Sequence, residues 1–289
     1  MKAKLYIHIT RRMASNFLAA VFMLSMTACT ERIELELDST FTRLVVDGAI
    51  TTDTTAHCVR LTKSTDFYYS GKPPAVSGAQ VSISDGEQVF VLTEDSLEAG
   101  LYKTTAGVFG IAGRNYRLRI DLAEAINGQS RYEAECMLPQ VEALDSIKVV
   151  YQPAWEAWIV QCYALDPPTV NYYMFHIYKN GILMTDTIDK VIATDDVLFN
   201  GSYTNGVVIG FLQKEYPREI VNPGDVITAR IAGITREYLE FIWAVQIETG
   251  YKNPLISGPP ANIRGNIKNG GIGFFAAYST RFASCVFQP

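Results

Sequence analysis

The residues best placed to do chemistry lie where an apolar run ends, in LSMTACT (24–30). Met26-Thr27-Ala28-Cys29 sets small side chains at the two positions before a thiol. Only a thiol gives the thioether of a diacylated cysteine, and small neighbours let a membrane peptidase close on the backbone just before it. The competing reading is an ordinary export signal followed by a chance cysteine. The flanks favour lipidation. Lys2, Lys4, Arg11 and Arg12 precede an apolar run from Phe17 to Met26, and that run is about half of what a bilayer-spanning helix needs. The sequence therefore predicts a lipoprotein signal over 1–28, a lipid bilayer partner held through acylated Cys29, and a tether over 29–42.

Four cysteines follow in the exported part: Cys58, Cys136, Cys162 and Cys285. Export permits disulfides. Cys58 with Cys136 and Cys162 with Cys285 are the pairs to test, since each pair shares a half of the chain. Four free thiols acting as small hydrophobes is the other reading. No cysteine or histidine spacing suggests zinc, and no pattern asks for a cofactor.

Catalytic constellations are scarce. His57 and Cys58 are adjacent in a strand-like run, so they point to opposite faces and form no local dyad. His176 sits mid-strand in YYMFHIYK (172–179), and both histidines read as structural. There is no nucleophile elbow, HExxH, P-loop or EF-hand loop. The GGIG run (270–273) should lead into a strand, whereas a phosphate cradle needs a helix N-terminus. Asp195-Asp196 or Asp225 could serve acid–base work only with a distant partner. The expectation is a protein that is not an enzyme. Two aromatic groups could contact a ligand. Phe67, Tyr68 and Tyr69 fall in the loop STDFYYSGKPP (64–74), where rings could stack on a sugar, wedge into a partner, or pack over the end of a sandwich. Trp155 and Trp158 flank Glu156 near a turn after Pro153, and one ring capping the core with the other at the domain junction explains them more simply.

Holding any of these in place falls to β-structure. LVVDGAIT, HCVRLTKS, AQVSIS, QVFVLT, GLYKT, NYRLRIDL and RYEAECML recur at short intervals between turn residues such as Asp85-Gly86 and Asn127-Gly128. Such spacing describes a β-sandwich. After Pro139 come SIKVVYQ, WIVQCYAL, YYMFHIYK, ILMTDTID, VVIGFLQ and DVITARIA, with a hairpin signal at Asn180-Gly181. One segment has helical spacing: TREYLEFIWAVQIET (235–249) places Tyr238, Phe241, Ile242 and Val245 on one stripe, with Thr235 as cap and Gly250 as stop. Leu239, Trp243 and Ile247 widen that stripe, which predicts packing around much of the helix. The fold class is all-β: two consecutive sandwich domains, Ig-like or transthyretin-like, over 43–140 and 145–289, the second with one long packed helix.

Composition agrees. The 289 residues are 48% hydrophobic and 19% charged, a globular balance with ample material for cores. Loss of residues 1–28 removes four basic residues and no acids, moving the formal charge from −5 to −9. That argues against nucleic acid as a partner, because no basic stripe is left to neutralise phosphates.

Taken in order, LVVDGAIT (44–51), VSGAQVSISD (76–85), GIAGRNYRLRI (110–120), DPPTVNYYMFHIY (166–178), DDVLFNG (195–201), GDVITARIAGITREYLEFI (224–242) and NPLISGPPANIRGNIKNGGIGFFAAYS (253–279) resemble one family. It is the set of Bacteroidota lipoproteins catalogued as domain of unknown function four-two-four-nine. The resemblance implies an outer-membrane-associated β protein in a nutrient-uptake setting, with a TonB-dependent receptor as partner and no catalytic residues to carry over. Surface display is favoured over the periplasmic face: Glu31 lies near the anchor as in surface-export signals of these bacteria, although Arg32 interrupts an acidic cluster. That lineage also implies O-glycosylation at Asp-Ser/Thr followed by an aliphatic or small residue. Ser39, Thr54, Ser96, Ser146 and Thr187 are the acceptors so placed, and each also suits a turn entering a strand. The expected function is an accessory or ligand-binding lipoprotein. The alternative is a surface structural or adhesive module with no small ligand.

Overall fold

The computed structural model describes residues 42–65, 71–250 and 263–288. Strand β1 (Leu44–Thr51) alternates buried and open positions, with Leu44, Val46 and Ile50 inward and Asp47 outward. The same period-two pattern runs through β2 (Cys58–Lys63), β3 (Gln80–Ser84), the first part of β6 (Asn115–Ile126) and β7 (Gln129–Met137), with β4 (Val89–Glu94) and the short β5 (Leu101–Lys103) in the same series. Between β6 and β7, Asn127 and Gly128 both take positive φ, at 51° and 77°, the geometry that matches the twist of a tight hairpin.

The second series is β8 (Ser146–Gln152), β9 (Ala157–Tyr163), β10 (Tyr172–Lys179), β11 (Ile182–Leu183), β12 (Ile192–Asp195), β13 (Val207–Gln213) and β14 (Val226–Gly233), then α1 (Arg236–Thr249) and β15 (Ile272–Val286). Asn180-Gly181 turns β10 into β11 as expected, with φ of 50° and 80°. The strand expected over ILMTDTID stops at Leu183. Beyond it the Thr185 hydroxyl, not a backbone carbonyl, accepts from Ile177 N–H at 3.1 Å, and the chain turns into a 3-10 segment at Ile188–Lys190.

Two sheets form, so the all-β class with one helix holds. The larger runs β11-β10-β14-β15-β1-β2-β5-β4-β3-β6-β7, with β12 also on β10; the smaller is β13-β9-β8. The two sequence halves are not simply placed end to end. Residues Ile272–Tyr278 of β15 pair in parallel with β1, and Ser279–Val286 pair antiparallel with β14. One long strand thus serves both halves. A first core gathers Leu44, Val46, Ile83, Leu118, Ile120 and Phe275 with Leu239 and Ile242 of the helix. A second lies between the smaller sheet and β10, β14 and β15, around Val160, Ile177, Ile209 and Ile227.

The free edges of β7 and β15 are joined by a side chain. Asn266 accepts from Phe275 N–H at 2.9 Å and donates to the Phe275 carbonyl at 2.8 Å and the Glu135 carbonyl at 3.2 Å. Beside it Ala277 N–H donates to Cys136 Sγ at 3.3 Å. The GGIG run does lead into β15. Its Gly273 has φ of 100° and lies so close to β1 that a Cβ would sit 2.0 Å from the Val46 carbonyl, so only glycine fits.

Helix α1 starts as expected, with Tyr238 N–H donating to the Thr235 hydroxyl at 3.3 Å. Its burial is narrower than the apolar pattern indicated. Leu239 and Ile242 are buried, whereas Trp243 is 39% and Ile247 71% exposed. Trp243 lies at the margin because its indole N–H donates to the Ala193 carbonyl at 2.9 Å, and Gln246 bonds the Ile188 and Val191 carbonyls. No helix among the described residues is long and apolar enough to cross a membrane.

Candidate functional site

The outward side chains of the central strands share one face, and helix α1 covers part of it. Asp47 on β1 stands opposite Arg60 on β2 and next to Phe274 on β15. Arg230 on β14 stands between His176 on β10 and Phe282 on β15. From the helix, Tyr238 lies over Phe274 at 4.9 Å and stacks with Tyr278 at 6.4 Å and 8°. Between these elements opens a cleft of about 380 Å³, lined among others by Asp47, Asp53, Arg60, Arg230, Tyr238 and Tyr278. That volume is in the range for a small ligand.

The charges in the cleft are unequally satisfied. Asp53 accepts from the Thr280 hydroxyl at 2.6 Å. Arg60 pairs with Glu98 at 2.8 Å. Asp47 is open to the cleft, yet desolvation by the surrounding protein raises its carboxyl above the ordinary range, with Arg60 opposing. Burial likewise pushes the Tyr238 and Tyr278 phenols up, so both stay protonated donors at neutral pH. His176 is lowered to about 3 by burial and by neighbouring Arg230, which makes it neutral. The Arg230 guanidinium lies 6.0 Å from the Tyr178 ring centroid, and its buried Nε has no hydrogen-bond partner.

A larger hollow of about 610 Å³ lies beside Asn266, near the ends of β7 and α1. Two of its three charged lining groups are already paired, Arg236 with Glu240 at 2.8 Å and Glu135 with Arg117 and Lys268 at 3.0 and 3.3 Å, and the third, Glu237, is an acid with no cation left open beside it. It offers a ligand less than the Arg230 cleft does. A third polar site is closed. Asp166 Oδ1 accepts from the Tyr173 hydroxyl at 2.6 Å and Asp196 Oδ2 from Asn171 N–H at 2.7 Å, with both carboxylates buried. Among the described residues no group of three or more His, Cys, Asp or Glu is placed to hold a metal ion.

The residues singled out from sequence fall in several places. Cys29, Ser39, Phe67, Tyr68 and Tyr69 lie outside the described residues, as does the signal segment. Cys58, Cys136, Cys162 and Cys285 are all free thiols, so neither disulfide is formed. Cys58 is exposed, facing Lys103 across β2–β5, whereas Cys136 is buried against Ala277 of β15. Cys162 is buried near the Thr204 hydroxyl, and Cys285 pairs in register with Ile227. Thr54, Ser96, Ser146 and Thr187 are all exposed, in turns or at element starts. His57 is a structural residue with both ring nitrogens engaged: Thr51 N–H donates to Nδ1, and Nε2 lies 3.1 Å from the Val108 carbonyl. Trp158 belongs to the second core, while Trp155 is 60% exposed and meets Phe211 edge-on at 5.9 Å.

The cleft itself escaped the sequence reading. Asp47 and Arg230 were each visible as a charge interrupting an apolar strand, and that interruption is the one signal that could have found the site.

A family model described as "Domain of unknown function (DUF4249)" matches residues 30–282. The chain belongs to this family. The DUF4249 span starts one residue after Cys29 and ends inside β15, so it takes in the first core, all of the second but its last residues such as Phe287, the Asn266 joint and the residues that line the cleft. No curated protein matches the chain.

Proposed function

We propose that this DUF4249 protein is an outer-membrane lipoprotein, anchored through acylated Cys29, that acts as a non-enzymatic ligand-binding accessory of a TonB-dependent receptor. The observation that carries the reading is the Arg230 cleft. It combines an unpaired guanidinium, protonated phenols and a carboxylate acceptor in a space sized for a small molecule. Around it the first core and β15 form a frame packed and paired on both sides, which suits binding without reorganisation. The lipobox sequence supports the anchor, and the family resemblance supports the uptake setting and the cell-surface face. Exposure of Thr54, Ser96, Ser146 and Thr187 leaves these acceptors accessible to glycosylation.

Purification of the tagged protein from mildly solubilised native envelopes, followed by mass spectrometry, tests the reading. A receptor barrel recovered in near-stoichiometric amount supports the accessory role. Recovery of the protein alone contradicts it and favours a structural or adhesive module.

A further inference from the structure

Arg230 is the exception in its surroundings. The other guanidinium of the cleft has a partner on the protein, since Arg60 pairs with Glu98; of the carboxylates, Asp53 has the Thr280 hydroxyl and Asp47 stands open across from Arg60. Arg230 has no such partner. Its neighbours are the Tyr178 ring, the neutral His176 and the Tyr238 and Tyr278 phenols, and among the described residues no carboxylate pairs with it. Its Nε is buried with no acceptor. A half-buried guanidinium without a counter-ion is costly, and its planar fork is matched by the two oxygens of a carboxylate or phosphate.

The tyrosines add to this. The Tyr238 and Tyr278 hydroxyls, which line the cleft, donate to no described residue, and this leaves two neutral donors beside the guanidinium. Tyr238 is parallel to Tyr278 within 8°, offering ring faces along the cleft wall. Toward β1 the lining changes character, and Asp47 with its open carboxyl is an acceptor for hydroxyl donors.

We infer that the cleft binds a small oxyanion-bearing ligand, whose carboxylate or phosphate sits on Arg230 among the tyrosine hydroxyls and whose hydroxyl-bearing body extends toward Asp47. The ligand supplies the counter-ion that the protein withholds. This deepens the binding role proposed above and rests on it, while depending on neither the lipid anchor nor the receptor.

Nitrogen-15 NMR of the Arg230 Nε–H, assigned by its loss in Arg230→Lys, reads the site directly in the folded protein. Acetate, glucuronate and glucose 6-phosphate are titrated at fixed ionic strength, with neutral glucose as control. The expected result is a saturable shift with at least one anion below about 50 mM, the scale of a weak millimolar complex, and none with glucose. Glucuronate and glucose 6-phosphate separate carboxylate from phosphate. Arg230→Lys, which keeps the charge and loses the fork, should bind the responding anion about ten-fold more weakly by calorimetry. Absence of a saturable shift with all three anions overturns the inference, as does an equal response to glucose or unchanged affinity in Arg230→Lys. Receptor co-purification is unaffected by any of these outcomes, so failure here is distinct from failure of the accessory role.

Discussion

At the joint between β7 and β15, the carboxamide of Asn266 takes the place of a stretch of backbone pairing. It bonds both the N–H and the carbonyl of Phe275 and reaches the Glu135 carbonyl. Asn266→Ala leaves those half-buried groups unpaired and should lower stability by about 1–3 kcal/mol in urea unfolding; a change below about 0.5 kcal/mol, the range of ordinary surface substitutions, would mean that the edge is held otherwise. Asp166 gives a pH-dependent test. Burial raises its carboxyl, with Asp196 adding to the rise and Tyr173 opposing. A group with a raised folded pKa gives stability that is complete below its unfolded value and is lost as pH rises through the folded one. Asp166→Asn can still accept from Tyr173 but cannot ionise. Relative to wild type it should therefore gain stability between pH 4 and pH 7, measured as the difference in unfolding free energy; a variant that loses stability over that range contradicts the assignment. At this scale the sequence was only partly legible. His57, expected to be structural, has both ring nitrogens engaged with the backbone. Asp47, Arg230 and Asn266 acquire their roles from strands far away in the chain, so no local pattern announces them.

Among the elements, β15 carries the greatest constraint. Its first half lies beside β1 so closely that Gly273 faces the Val46 carbonyl and the Gly273 carbonyl would meet a Cβ on Gly265 at 1.8 Å. Gly273→Ala combines that clash with a φ of 100° and should cost more than about 3 kcal/mol or prevent folding. Gly270→Ala is the control, since its φ is also positive, at 83°, yet nothing lies within 4 Å; it should cost about 1 kcal/mol. Similar melting temperatures for the two variants would show that close packing on β1 is not what selects glycine. Strand positions such as LVVDGAIT, which coincides with β1, were legible because one face of the strand is buried. The caps of α1 were legible because Thr235 and Gly250 act within one turn. The width of its buried face was not, since an apolar stripe does not say which part a neighbour covers.

For the whole molecule, the sequence disclosed two successions of strands but not the return of the last strand to the first. Parallel pairing of β15 with β1 links residues more than 200 positions apart, and neither run of residues carries a sign of the other. Through that pairing both cores come to share one strand, and the cleft lies where β1, β14 and β15 meet beneath the helix. Acylation at Cys29, as proposed, would hold the protein at a membrane. Intact-mass spectrometry of the protein extracted from native outer membranes, beside a Cys29→Ser variant, tests that claim most directly. The expected result is a wild-type chain beginning at Cys29 and heavier by its acyl groups, hexose-sized additions where Asp-Ser/Thr sites are used, and a variant that leaves the membrane fraction without acyl mass. A wild-type chain that keeps residues 1–28 or carries no acyl mass would contradict it.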